Sequence, residues 1–306
     1  MSIPVYDVVI IGAGPAGIQA AIHASRKKTD VLMLGRIENS ALAAAHVENY
    51  ACIDGVQAGR DLLEAGHRQV ERFGARIEAQ DVLKIRQEEG GFHLELESGE
   101  EVQARTIIFA VGVSKKKLAV PGEKELTGMG VSYCVDCDAN FYRGATVAVV
   151  GDRSAAVDGA LTLLGYASKV YLITRGLAVS PELAGRLEKS EVEVLRDVWV
   201  KEIRGENAVS SLLLDNGETL AVDGVFVELG SKGALELATQ IGVALDTESF
   251  KYIAVNRKQE TSVPGVYAAG DIVGPPYQMA KAVGEGCVAG MEAATYARKI
   301  RQQQES

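Results

Sequence analysis

A mostly apolar run, Tyr6 to Ile11 (YDVVII), ends abruptly at Gly12-Ala-Gly-Pro-Ala-Gly17. A short apolar run closed by turn residues reads as a buried strand. The following stretch, IQAAIHASRKK, carries a helical pattern, and Val31–Leu34 predicts a second strand. Strand, glycine turn, helix and strand within about 30 residues make a βαβ unit. Further on, Val82–Arg86, Phe92–Glu97 and Val102–Phe109 alternate or run apolar. Glu-Glu-Gly-Gly and Glu-Ser-Gly-Glu turns separate them, and the third strand ends at Ala110-Val-Gly112.

The same plan then repeats. Val147–Val150 leads into Gly151-Asp-Arg-Ser-Ala-Ala156, a helical stretch (VDGALTLLGY) and a strand at Val170–Ile173. Three more strands are expected at Val200–Ile203, Ser211–Leu214 and Val225–Leu229, the last ending at Gly230. Two copies of one supersecondary plan imply two similar nucleotide-binding-type domains. A C-terminal strand within Val263–Asp271 and a helix from about Tyr277 to Arg298 are too short for a third domain. They are expected to complete the first. The expectation is an α/β fold of two Rossmann-like domains, the second inserted into the first. Residues 1–112 and 231–306 form the split domain, residues 113–230 the insertion, and the hinges lie near Gly112 and Gly230.

Composition narrows the function. The 306 residues, 47% hydrophobic, suffice for two cored domains. Acidic residues outnumber basic ones by 41 to 32, for a net charge of −9, which argues against a general nucleic-acid binder. No apolar run approaches the ~18 residues of a membrane span. The N-terminal sequence has no basic-then-apolar signal, so a cytoplasmic enzyme is expected. Of the four cysteines, Cys134 and Cys137 are spaced C-x-x-C, which in this setting points to redox or metal chemistry.

Gly12, Gly14 and Gly17 satisfy G-x-G-x-x-G between a strand and a helix. The first glycine permits the tight turn, the second lets backbone approach a pyrophosphate, and the third allows helix–sheet packing. Pro15 and Ala16 open the helix whose N-terminus would face the phosphates. Gly35 and Arg36 stand where a ribose-binding acid is normally found. In the second copy Gly151 is kept, but Arg153 occupies the close-approach position and Ala156 the third. After its second strand, Thr174-Arg175-Gly176 leaves a single arginine where a 2′-phosphate site would have a basic cluster. This copy is expected to keep its fold and to have lost tight nicotinamide-cofactor binding.

The C-x-x-C pair has no further cysteine or histidine at metal-ligand spacing, and Asp136 and Asp138 are poor core residues, so the redox reading is favoured over a zinc site or an inert buried pair. Cys52 and Cys287 read as buried small hydrophobes, Trp199 as core, and the four histidines as no site.

The run Gly130-Val-Ser-Tyr-Cys-Val-Asp-Cys-Asp138, after Pro121-Gly-Glu123 and before VAVVG, resembles the low-molecular-weight thioredoxin reductases. Gly12–Gly17, Val47-Glu-Asn-Tyr50 and Ala268-Ala-Gly-Asp271 support the likeness along essentially the whole chain. The resemblance implies FAD in the first domain, a homodimer, and thioredoxin as electron acceptor. It implies that Gly12, Gly14, Pro15, Ala16 and Gly17 hold the FAD pyrophosphate, that Asn49 lies near the flavin, and that Gly270-Asp271 meets the ribityl–phosphate part. The helix starting near Gln278-Met279-Ala280 would face the pyrimidine side of the ring. Cys137 would be the thiol beside the flavin, Cys134 the one exchanging with the protein substrate, and Asp138 the nearby acid.

The departures from the family pattern cluster. Gly-Asp-Arg replaces a glycine-rich loop, Thr-Arg-Gly a His-Arg-Arg run, Gln-Met-Ala an Arg-Gln-Ala run, and Leu-Gly-Ser-Lys-Gly an IG-x-x-P-N-like turn. All fall on the nicotinamide side. That pattern is similar to the pyridine-nucleotide-independent branch, in which ferredoxin supplies the electrons. An acidic donor needs a basic footprint; Lys115-Lys116-Lys117 is the first candidate and Arg26-Lys27-Lys28 the second. An NADPH- or NADH-dependent reductase with a divergent site remains open, since Arg175 survives. So do a flavin disulfide oxidoreductase with another acceptor or a second bound flavin, and a non-catalytic flavin-binding module.

Overall fold

The computed structural model describes residues 3–113, 117–230 and 233–304. The chain divides into two compact units: Met1–Leu96 with Glu100–Val113 and Leu237–Ser306, and Glu97–Gly99 with Ser114–Glu236.

The first unit begins with β1 (Val5–Ile11), α1 (Pro15–Arg26) and β2 (Val31–Leu34). A hairpin of β3 (His46–Val47) and β4 (Gln57–Ala58) leads to α2 (Gly59–Arg72). Four strands follow: β5 (Arg76–Glu78), β6 (Val82–Glu88), β7 (Gly91–Leu96) and β8 (Glu101–Phe109). The sheet order is β5-β2-β1-β8-β7-β6. β1 lies between parallel neighbours β2 and β8, and its residues Val8, Val9 and Ile10 are fully buried, which is why it reads as a continuous apolar run. β6, β7 and β8 pair antiparallel.

The second unit opens with β9 (Val131–Ser132), then α3 (Val135–Asp138), β10 (Thr146–Val150), α4 (Ser154–Leu163) and β11 (Lys169–Thr174). It continues through α5 (Pro181–Glu188), β12 (Glu193–Arg196), β13 (Val200–Arg204), β14 (Ser211–Leu214), β15 (Thr219–Ala221) and β16 (Gly224–Val227). A parallel sheet runs β12-β11-β10-β16-β9, and β13-β14-β15 form a separate antiparallel sheet. The β10-α4-β11 arrangement repeats β1-α1-β2, so both units are α/β and Rossmann-like, as expected.

The chain returns through α6 (Ala234–Gln240) to β17 (Val266–Ala268) and α7 (Met279–Gln304). β17 pairs parallel with the end of β8. The expected C-terminal strand is shorter than its apolar run because Pro264-Gly265 precede it and Gly270, at φ 87°, turns the chain after it. α7 packs on α1 almost backbone to backbone: a Cβ on Gly286 would lie 2.2 Å from the carbonyl oxygen of Ala16, and one on Gly290 2.3 Å from that of Ala20. The far end of α7 is tied down by Arg301, which with Arg105 pairs with the buried carboxylate of Asp7 at 2.8 and 3.3 Å. Among the described residues no helix is long and apolar enough to cross a membrane.

Candidate functional site

At the end of β1 the chain must turn against β8. Gly12 does so at φ 122°, where a Cβ would stand 2.3 Å from the carbonyl oxygen of Ala110. Its amide donates to Leu34 O at 2.7 Å, joining the turn to β2. Gly17 meets the carbonyl of Gly12 so closely that a Cβ would come within 1.9 Å. Gly14 differs: a Cβ there would meet nothing nearer than Ser40 Oγ, at 3.3 Å. No side chain caps α1, and Pro15 occupies its first turn, which leaves the helix N-terminus to a phosphate. These features fit a dinucleotide. His67 of α2, which the sequence marks as no site, lies with Nε2 3.3 Å from the carbonyl oxygen of Ala13 and so braces the loop.

The close α1–α7 packing fixes the start of α7 relative to that of α1. A Cβ on Gly270 would meet Ala16 Cβ at 3.1 Å and Ala282 Cβ at 3.7 Å, so the turn bearing Asp271 is wedged between the two helix starts. Lys281 Nζ donates to the carbonyls of Gly270 and Gly274 at 2.7 and 2.6 Å. Glu285, paired with Lys281 at 3.1 Å, accepts from the Gly270 amide at 2.9 Å. Burial pushes the Asp271 carboxyl above the usual range, and Lys281 pulls the other way. Asn49 Nδ2 donates to Gln278 Oε1 at 3.1 Å. The residues expected around a flavin, from Gly12–Gly17 through Asn49 and Gly270-Asp271 to Gln278-Met279-Ala280, thus all belong to the first unit.

The second glycine turn keeps the steric role of its first glycine. A Cβ on Gly151 would clash with the Glu228 carbonyl at 2.2 Å, so glycine is needed for the turn itself. Arg153 is the N-cap of α4, and the Ala155 amide in that helix's first turn donates to Gly230 O at 3.3 Å. Arg175 is engaged within its own unit: it bonds Asp215 at 3.3 Å and lies 5.3 Å over the Trp199 ring. Asp215 is held below the ordinary carboxylate range first by the Trp199 amide, with desolvation opposing and Arg175 adding to the effect. Trp199, read from sequence as core, is half-buried and packs at the edge of a core cluster.

Cys134 and Cys137 form a disulfide, with Cα atoms 5.3 Å apart. They lie on α3 and not in an open loop. Cys134 is its extended N-cap, and its Sγ accepts from the Cys137 amide at 3.2 Å. Cys134 is half-buried and Cys137 exposed. Three buried groups hold the motif. Ser132 Oγ accepts from the Cys134 amide at 3.1 Å and donates to Asp138 Oδ2 at 2.6 Å. Glu228 accepts from the Val135 amide at 3.3 Å. Glu123 accepts from the Tyr133 hydroxyl and the Leu118 and Ala119 amides, at 2.9, 2.9 and 2.7 Å. The Tyr142 hydroxyl is pushed up, first by burial and then by the charge of Asp138. Phe141, 82% exposed, follows close behind.

Ser132, Glu123, Glu228 and Lys281 are functional candidates that the sequence reading did not assign. Ser132 and Glu123 stood inside quoted motifs, but their hydrogen-bond partners carry no sequence signal. Cys52 is exposed and Cys287 half-buried, against the expectation that both are buried. Cys52 sits at φ 70°, on a turn that keeps it out of the core. Lys115 and Lys116 lie outside the described residues; Lys117 is exposed. Arg26-Lys27-Lys28 sits at the C-terminal end of the 12-residue α1, roughly 18 Å along the helix from the glycine turn. Among the described residues no cluster of His, Cys, Asp or Glu could hold a metal ion.

Residues 6–286 match the family of pyridine nucleotide-disulphide oxidoreductases. The chain is 34% identical to the thioredoxin reductase of Bacillus subtilis, covering 97% of this chain and 96% of that protein. Its structure is similar to that of the atypical thioredoxin reductase TRi from Desulfovibrio vulgaris Hildenborough, with TM-score 0.83 and 36% identity over 97% of this chain and 99% of that one. It is also similar to a ferredoxin-flavin thioredoxin reductase from Clostridium acetobutylicum, with TM-score 0.70 and 34% identity over 97% and 100% of the two chains. A vicinal disulfide beside an acid, on a two-Rossmann scaffold matched from end to end, places this chain in the thioredoxin reductase family, among its flavin-dependent thiol–disulfide oxidoreductases.

Proposed function

We propose that the protein carries electrons from reduced ferredoxin through FAD and the Cys134–Cys137 disulfide to thioredoxin. The observation that supports this donor is the second glycine turn, where Arg153 stands at the close-approach position and Arg175 is already paired with Asp215 and Trp199. Gly12, Gly14, Pro15, Ala16 and Gly17 would hold the FAD pyrophosphate. Asp271 would hold the ribityl–phosphate part, and Asn49, Gln278, Met279 and Ala280 would line the ring. When bound, FAD supplies two-electron chemistry that reduces the disulfide to a dithiol.

The remaining steps belong to the chain. The Cys134 thiolate, with the Cys137 amide 3.2 Å away to receive its charge, attacks the substrate disulfide. A Cys134–substrate bond forms, the substrate S–S bond breaks, and the departing substrate thiolate takes a proton. Cys137 then gives up its proton and attacks Cys134 Sγ, re-forming the disulfide and releasing the second substrate thiolate, which is protonated in turn. Two electrons and two protons leave with the substrate dithiol. Asp138 is the group that takes and returns those protons. Phe141 gives the approach to the disulfide an apolar contact for a protein partner. As in the family, the chain would act as a homodimer, with residues 1–112 and 231–306 as the FAD-binding domain and 113–230 as the inserted domain. Lys117, with Lys115 and Lys116, is the proposed ferredoxin footprint.

Anaerobic bleaching of the yellow protein tests the scheme. Reduced ferredoxin should bleach the flavin and, with thioredoxin present, turn over, while NADPH and NADH should act slowly. Rapid bleaching by NADPH overturns the donor, and purification without flavin overturns the whole scheme.

A further inference from the structure

Ser132 is 5% exposed and sits on β9, where Phe226 of β16 is its ladder partner. Its single hydroxyl joins the start of the redox motif to its end. It accepts from the Cys134 amide at 3.1 Å and donates to Asp138 Oδ2 at 2.6 Å. A hydroxyl that already accepts from an amide is polarised into a better donor. The bond to Asp138 has the short length of a charge-assisted O–H···O contact. α3 is four residues long and cannot by itself fix a carboxylate at its last position. The sheet can, and Ser132 is the side chain through which it does so.

We propose that Ser132 is the positioning residue for Asp138: it holds the carboxylate beside the cysteine pair, so that the acid meets the sulfurs without a rotamer search. This rests on the reading of Asp138 as the proton carrier. Ser132 keeps its own proton throughout and enters no bond that forms or breaks. Other groups hold other parts of the motif: Glu228 accepts from the Val135 amide and Glu123 from the Tyr133 hydroxyl.

The test is single-turnover exchange between the dithiothreitol-reduced, flavin-loaded protein and oxidised thioredoxin, read as a saturating rate and a half-saturating concentration. Asp138→Asn should lower the saturating rate about a hundredfold, a usual worth for one proton-transfer group. Ser132→Ala should lower it about tenfold at unchanged half-saturation, and Ser132→Thr, which keeps the hydroxyl, should restore it. The Ser132→Ala loss should shrink markedly in the Asp138→Asn background, because a positioning effect has nothing left to position. Ser132→Ala also strips the Cys134 amide of its acceptor, and that part of the loss would persist in both backgrounds. If the alanine variant does not fold, the isosteric Ser132→Val and Ser132→Thr pair makes the same comparison. Equal losses in both backgrounds, or no recovery with threonine, overturn the proposal and leave Asp138 standing. A wild-type rate for Asp138→Asn overturns the proton carrier itself, and the proposal with it.

Discussion

Gly12 and Gly151 do the same work at the ends of β1 and β10, each removing a Cβ that would strike a neighbouring carbonyl, at 2.3 and 2.2 Å. Two residues later the turns part. Gly14 leaves the approach to α1 bare, whereas Arg153 fills the corresponding place before α4. The first glycine of such a turn serves the fold, and the second serves the ligand. A Rossmann-like domain can therefore lose its ligand without losing its shape. In the second unit the shape is kept, and the surviving arginine is bonded to Asp215 and laid over Trp199.

The comparison breaks most sharply if the first turn is made to look like the second. Gly14→Arg is backbone-compatible, since Gly14 has φ −85°, and should weaken FAD binding by about a hundredfold while the protein stays folded. Flavin fluorescence on dilution and far-UV circular dichroism check the two halves of that statement. The converse change, Arg153→Gly with Asp215→Ala, reopens the second turn and frees Arg175. It should speed NADPH bleaching about tenfold over a slow wild type, as stopped-flow absorbance would show. A smaller effect is expected where the turns have no counterpart. Lys281→Met removes the donor to the Gly270 and Gly274 carbonyls and should weaken FAD binding roughly five-fold, at a cost near that of one ordinary hydrogen bond.

The smallest effect concerns pH. Burial holds the Asp271 carboxyl above its unfolded value, so without flavin the folded state binds a proton that the unfolded state has lost. Stability from this group is full below the unfolded value and declines as pH climbs to the raised folded value. In Asp271→Asn that slope should disappear, which melting curves from pH 4 to 6 on flavin-free protein would show.

The parts of the fold legible in the sequence are those where burial on both faces writes a nearly uninterrupted apolar run, as in β1 and β10. α2 is not among them: Gly59 and Gly66 argue against a helix until packing supplies the reason. Gly66 takes the Ile18 side chain so closely that a Cβ would lie 2.9 Å from it. The site divides in the same way. Residue types at fixed spacing mark Gly12–Gly17 and Cys134–Cys137. The bond from Asn49 to Gln278 spans 229 positions and that from Arg175 to Asp215 spans 40, so neither leaves a local trace. Ser132 is a common strand residue whose role exists only once β9 and α3 are folded side by side.

The glycine contacts of α7 on α1 also set an order of events. The first unit needs β17 and α7, which are translated after every residue of the second. The second unit is encoded almost without interruption and can assemble as it leaves the ribosome. Until α7 arrives, the glycine turn after β1 lacks the Gly270 corner wedged beside it, and an exposed stripe around Ala16 and Ala20 waits for its partner. Flavin capture would then be a late event in the life of each chain, and the disulfide-bearing unit can form before the cofactor that would serve it has a place to bind.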